Sequence, residues 1–161
     1  MRKKIIIILI GLVIIIAFLI YFDKYYLILE AVDTDNNIVL CSKIIKRGGS
    51  FSLRFRNSIS KTIVEEKFEV IDVDYIKLSA LKYQSCDAGY PTGYNCNFTI
   101  KDNYMIIKDI NKVLRELRNI RIATCYPHYL IIGDFKYNLS AKAAGNTLSV
   151  KAIKIFKIFR K

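Results

Sequence analysis

The chain has 161 residues, 53% of them hydrophobic, with no tryptophan, one histidine and a formal net charge of +12. That length holds a single domain of ordinary size beyond a membrane segment. Most of the excess sits at the ends: residues 1–22 and 135–161 carry three and seven basic groups and no acid, while the body has 16 basic against 14 acidic. Such a distribution suits a membrane surface better than a nucleic-acid groove, so no nucleic-acid partner is expected.

The first element is Ile5–Phe22, IIIILIGLVIIIAFLIYF, in which fifteen of eighteen residues are Ile, Leu, Val or Phe and none is charged. As a helix it reaches roughly 27 Å, close to the ~30 Å hydrocarbon core of a bilayer. Its apolar side chains contribute on the order of 5–9 kcal/mol toward insertion. Arg2, Lys3 and Lys4 resemble the n-region of a signal peptide. Against cleavage, the run is longer than the usual ~7–15 residues and leads into bulky YFDKYYLILE with no small-x-small site. Residues 1–22 are therefore expected to form an uncleaved, single-pass anchor in the cytoplasmic (inner) membrane. Three cations precede the span, whereas Asp23 and Lys24 cancel just after it, which predicts an internal N-terminus and an extracytoplasmic domain.

From residue 23 to 153 the pattern changes to short β-like runs separated by turn residues. Tyr26–Val32 is followed by DTDNN, Ile38–Ile45 by Arg47-Gly48-Gly49, and Phe51–Phe55 alternates apolar with Ser/Arg as a half-buried strand does. Val64–Val70 places Val64, Phe68 and Val70 on one side together with Glu66, a carboxylate that is costly to bury unpaired. Val73–Leu78 and a run ending near Tyr83 precede a Gly/Pro loop. Phe98–Ile100, Lys101-Asp102-Asn103 and Tyr104–Ile107 read as a hairpin. Asp109 as N-cap, then Ile110, Val113, Leu114 and Leu117 at i, i+3, i+4, i+7, predict one short helix. Ile120–Cys125, Tyr129–Ile132, Phe135–Leu139 and Thr147–Ile153 resume strand character. The spacing predicts a mainly β fold, an antiparallel β-sandwich or barrel with one short helix, after the transmembrane helix. The basic tail, residues 154–161, reads either as part of an amphipathic helix over Lys151–Lys161 lying on anionic lipid or as a solvated end to the last strand.

The chemistry-bearing residues are sparse. Cys86 and Cys96 end the loop CDAGYPTGYNC, whose Gly and Pro turns let the ends meet, so a Cys86–Cys96 disulfide is expected; four buried free thiols are the alternative. Such a bridge contributes roughly 2–3 kcal/mol. Cys125-x-x-His128 lacks the second ligand pair of a zinc site, so neither metal nor cofactor is expected. His128 reads as a hydrogen-bonded structural residue, with a hydrolase or thiol-redox protein using Cys125/His128 or the Cys86–Cys96 loop as the alternative. Glu65 and Glu66 alternate across a strand and cannot form an acid/base couple. Glu69, Asp72 and Asp74 read as a solvated strand edge. No elbow, phosphate loop or His-Glu-x-x-His is present.

Two stretches, FRNSISKTIVEEKFEV and, about twenty residues on, YQSCDAGYP, resemble the bacterial domain-of-unknown-function family eighteen-fifty. Ser58, Thr62, Val64 and Glu66 match its His-Ser-Val and Thr-Pro-Val-x-Glu runs, and Ser85, Ala88, Gly89 and Pro91 match its Ser-aromatic-Gly-Ala-Gly-x-Pro. Asn57 stands where the family has His, Ile63 where it has Pro, and Cys86-Asp87 where it has aromatic-Gly. A proton-transfer or metal role for that His therefore does not carry over. The resemblance implies a small anchored or exported protein, often encoded beside TAXI-type tripartite ATP-independent (TRAP) transporters, hence an accessory or binding role with transporter subunits as partners. It marks Asn57, Ser58, Glu66, Ser85, Ala88, Gly89 and Pro91 as a candidate structural or binding site. Glu66, on the inward face, is expected to accept N–H groups of the 85–93 loop. Replacing Glu66 with Gln should then speed limited proteolysis of that loop; unchanged cleavage refutes the pairing.

Overall fold

The computed structural model describes residues 2–85 and 97–156. Cys86, Ala88, Gly89, Pro91 and Cys96 lie outside the described residues, as does the tail beyond Phe156. The first element, α1 (Arg2–Tyr25), contains a candidate span Lys3–Tyr25 whose most apolar 18 residues have a mean hydropathy of 3.4, with none of those residues buried inside the protein. At 1.5 Å per residue it measures about 35 Å. It has the length and composition of a membrane anchor or of a signal sequence.

The strand β1 (Tyr26–Asp33) follows α1 with no intervening residue. In chain order come β2 (Ile38–Lys46), β3 (Ser50–Arg56), β4 (Ile63–Asp72), β5 (Tyr75–Tyr83), β6 (Asn97–Lys101), β7 (Tyr104–Leu114), β8 (Leu117–Arg121), β9 (Tyr129–Ile132) and β10 (Phe135–Asn138). The short helix α2 (Ser140–Ala143) and β11 (Thr147–Ile153) complete the described fold. The strands form two antiparallel sheets, one of four in the order β2-β1-β11-β8 and one of seven in the order β10-β9-β3-β4-β5-β7-β6.

The core lies between the sheets. Alternation sets which residues reach it: Leu27, Leu29 and Ala31 of β1 and Leu148, Val150 and Ala152 of β11 are fully buried on one side. Phe51 and Leu53 of β3, Phe68 and Val70 of β4 and Leu130 of β9 meet them from the other. Phe51 and Phe68 stack with ring centroids 5.2 Å apart, and they are also directly paired across β3 and β4. A smaller cluster of Val64, Leu81, Tyr83 and Ile107 extends the apolar face along β4, β5 and β7.

Turn chemistry fixes the register. Asp102 and Asn103, at φ +50° and +62°, make the two-residue β6–β7 turn whose hand suits a hairpin. Between β2 and β3, the Gly49 N–H donates to the Lys46 carbonyl at 2.8 Å. A Cβ on Gly49 would sit 2.7 Å from that oxygen, so only glycine closes this turn. At the other end of β1, buried Asp33 accepts from the Asp35 and Asn36 N–H groups and from the Asn36 and Asn146 side-chain amides. The Asn36 and Asn146 bonds hold its carboxyl below the ordinary carboxylate value and tie the β1–β2 loop to the start of β11.

The short helix is not where the periodicity predicts it. Residues 110–114 belong to β7 and pair with β5, with Leu114 opposite Ile76 and Lys112 opposite Leu78. Asp109 and Asn111 sit at φ +60° and +54°, which no α-helix admits. The reason for the false signal is a register shift between β5 and β7: inward positions run Met105, Ile107 before it and Ile110, Leu114 after it. That switch in parity imitates a 3.6-residue period. The helical turn is α2 instead, and the strand expected over Ile120–Cys125 lies earlier, at β8. Residues 154–156 are not helical.

Truncating Phe68, which is 2% exposed, removes the central ring of the core. Phe68→Ala should lower the unfolding free energy of the full chain in detergent by about 3–5 kcal/mol, measured by urea titration with circular dichroism. Ile100→Ala, at a side chain 72% exposed, should stay within about 0.5 kcal/mol of the parent.

Candidate functional site

Antiparallel pairing places Arg54 of β3 opposite Glu65 of β4 on one side and Tyr129 of β9 on the other. Since Leu53 points into the core, these three side chains share the outer face of the seven-stranded sheet. Arg56, two residues on, projects the same way, and Lys136 arrives from β10. With Tyr126 and Pro127 as a wall, Arg54, Arg56, Tyr129 and Lys136 line an open cleft of about 430 Å³, and Glu65 stands beside Arg54.

Three cations and two tyrosines therefore converge here. The Arg56 guanidinium lies 5.0 Å from the Tyr126 ring centroid and the Lys136 ammonium 4.0 Å from that of Tyr129. Lys61, from the β3–β4 loop, reaches within 5.7 Å of the Tyr126 ring. The acid at hand is Glu65, whose Oε2 lies 3.6 Å from Arg54 Nε. That Nε is buried and makes no hydrogen bond among the described residues. Among the described residues cations outnumber acids here, and ring faces flank them. The arrangement can hold an anionic group beside a flat or apolar body.

His128 supports the cleft from behind. It is 7% exposed, its ring stacks on Phe55 at 5.2 Å with 8° between planes, and its Nδ1 faces the Ala123 N–H at 3.4 Å. Its backbone N–H donates to Ser140 Oγ, while its carbonyl accepts from Leu139, so α2 is pinned to the start of β9. Burial pushes its pKa below the ordinary imidazole value, and the Tyr126 carbonyl pulls weakly the other way. Cys125, by contrast, is an exposed free thiol, with its Sγ 3.9 Å from Thr124 Oγ1. Cys41 is a buried free thiol whose pKa burial raises. The acids expected as a solvated edge are partly paired: Glu69 with Lys77 at 2.6 Å, and Asp72 with Arg47.

The described residues singled out by motif, Asn57, Ser58, Glu66 and Ser85, fall around the same end of the sheet. Asn57 follows Arg56 directly and caps the β3–β4 turn, its Oδ1 accepting from Ile59 N at 2.8 Å and Ser60 N at 3.1 Å. Its own N–H donates to the Thr62 carbonyl. Ser58 is exposed at the tip. The Ile63 N–H donates to Gln84 Oε1 at 3.4 Å, which brings the end of β5 and Ser85 beside this turn. Glu66 is half-buried on the inner face, opposite Leu53 on β3 and Leu81 on β5, with Val64 and Phe68 before and after it. All four are buried apolar residues. Asn57 and Ser58 thus lie in the turn between the cleft-lining Arg56 and Ile63, whereas Glu66 lies on the other side of the sheet.

Residues 51–139, more than half of the chain, match the model of a domain of unknown function, DUF1850. The chain belongs to the DUF1850 family. No curated protein and no solved structure matches it. The DUF1850 match runs from β3 to β10, so it contains the cleft and the 57–66 motif. It omits β1, β2 and β11, three of the four strands of the smaller sheet. Yet the DUF1850 segment cannot bury Phe51, Phe68 or Leu130 without them.

Because burial holds His128 neutral, the unfolded chain takes up its proton more readily than the folded one. Its contribution to stability is full above about pH 6.5 and is lost as pH falls toward the folded-state value. The melting midpoint should therefore drop between about pH 7 and pH 5, and His128→Gln should flatten that slope. Asp33 and Asp72, held below the ordinary carboxylate value, act only at lower pH, so an unchanged slope in the variant refutes the assignment.

Proposed function

We propose that this DUF1850 protein is a membrane-anchored, extracytoplasmic accessory or binding protein that serves a solute transporter of the tripartite ATP-independent type. The observation that carries the binding half of this reading is the outer-face cleft, where Arg54, Arg56 and Lys136 meet Tyr126 and Tyr129 with Glu65 as the neighbouring acid. A basic, aromatic-walled recess of that kind recognises an acidic group on a solute or on a transporter subunit. The anchor supports the accessory half, since α1 keeps the domain in the plane of its partner and raises effective concentration without demanding high intrinsic affinity.

Crosslinking in the native membrane, with identification of the captured neighbour, tests the partner. Recovery of a transporter subunit is expected, along with loss of solute uptake on deleting the chain. Capture of unrelated proteins with uptake intact defeats the transporter assignment. The cleft is tested separately with a triple variant, Arg54→Gln, Arg56→Gln and Lys136→Gln. It should bind the captured partner at least ~tenfold more weakly and more so at low ionic strength, with its melting midpoint near that of the parent. Equal binding removes the cleft from the mechanism.

A further inference from the structure

A second recess, of about 660 Å³, lies where α1 meets the sandwich. The helix supplies Leu19, Ile20, Asp23 and Lys24, the β2–β3 turn supplies Arg47, and Lys154 and Phe156 come from the residues after β11. Its walls are of two chemical kinds. Leu19, Ile20 and Phe156 continue the apolar surface of the helix, and the four charged residues gather at the helix's C-terminal end.

Two buried polar atoms of this lining make no hydrogen bond among the described residues. One is an acceptor, Asp23 Oδ1, and the other a donor, Arg47 Nε. Each residue is engaged at its other end: Asp23 Oδ2 lies 3.9 Å from Lys154 Nζ, and Arg47 pairs through Nη1 with Asp72. Leaving a buried donor and a buried acceptor unmatched is costly, and a ligand carrying both complementary groups relieves both.

Position narrows the ligand further. In a protein anchored through Lys3–Tyr25, the end of that span sits at the level of the lipid headgroups. We propose that this recess holds the headgroup of a phosphatidylethanolamine-type lipid. Its phosphate meets the Arg47 guanidinium with Lys24 and Lys154 close by, its ammonium meets the Asp23 carboxylate, and its acyl chains run along Leu19, Ile20 and Phe156. A glycerol headgroup answers the cations but leaves the carboxylate without an ammonium. A choline headgroup carries positive charge but no N–H to donate. The inference rests on the anchored reading of α1 and goes beyond the solute or partner cleft, which lies on the outer face of the larger sheet.

The test uses the full chain in detergent with equimolar phosphatidylethanolamine, phosphatidylglycerol and phosphatidylcholine, the retained lipid being counted by native mass spectrometry. The ethanolamine lipid should be retained over both others. Asp23→Asn should cut its retention about tenfold without weakening the glycerol lipid, and Arg47→Gln should weaken all three. Equal retention of the three lipids, or an unchanged ethanolamine preference in Asp23→Asn, overturns the proposal. Lys154→Gln, at a side chain 56% exposed, gives a second variant that does not perturb the core and should likewise weaken every phosphate. Alkaline carbonate extraction of membranes reports on the anchor alone. Should the chain be released, the anchored reading fails, and titration with short-chain ethanolamine and choline lipids still decides the recess.

Discussion

The fold depends on the pairing of the first strand with the last. Ile28 lies opposite Ile153 and Val32 opposite Ser149, so β1 and β11 form the middle of the smaller sheet. Their inward side chains, Leu27, Leu29 and Ala31 with Leu148, Val150 and Ala152, are the lid without which the larger sheet would expose its apolar face. A contact between residues so distant along the chain carries a large loop-closure entropy, offset by burying that many side chains at once. The same pairing brings the residues just after β11 back to the helix, which is why Lys154 stands beside Asp23.

Alternation made most strands legible. Phe51, Leu53 and Phe55 against Ser52, Arg54 and Arg56 specify both a strand and its buried side, and Asp102-Asn103 specifies a turn. The error over Asp109–Leu117 has a definite cause. A strand that shifts register moves its apolar residues from odd to even positions, and over two turns that is indistinguishable from helical spacing. Only the backbone, with Asp109 and Asn111 in the left-handed region, separates the two.

The cleft was not legible for a different reason. Arg54 and Arg56 read as the polar side of a strand, which is what they are. That Tyr129 lies beside Arg54, and that Lys136 folds over the next strand, follows from β9 pairing with β3, a choice no local pattern encodes. Cys125-x-x-His128 drew attention as a pair, but the chain turns between them, leaving the thiol in solvent and the imidazole packed on Phe55. Glu66, by contrast, was placed correctly from parity alone, because a period of two admits just two faces.

The absence of any residue between Tyr25 and Tyr26 has a mechanical meaning. A protein held in a bilayer through α1 has no leash: its globular portion rests against the lipid and turns only as the helix turns. Held so, it would reach no farther from the lipid than its own height, and tilting of the helix would be felt directly by the sheet that begins where the helix stops.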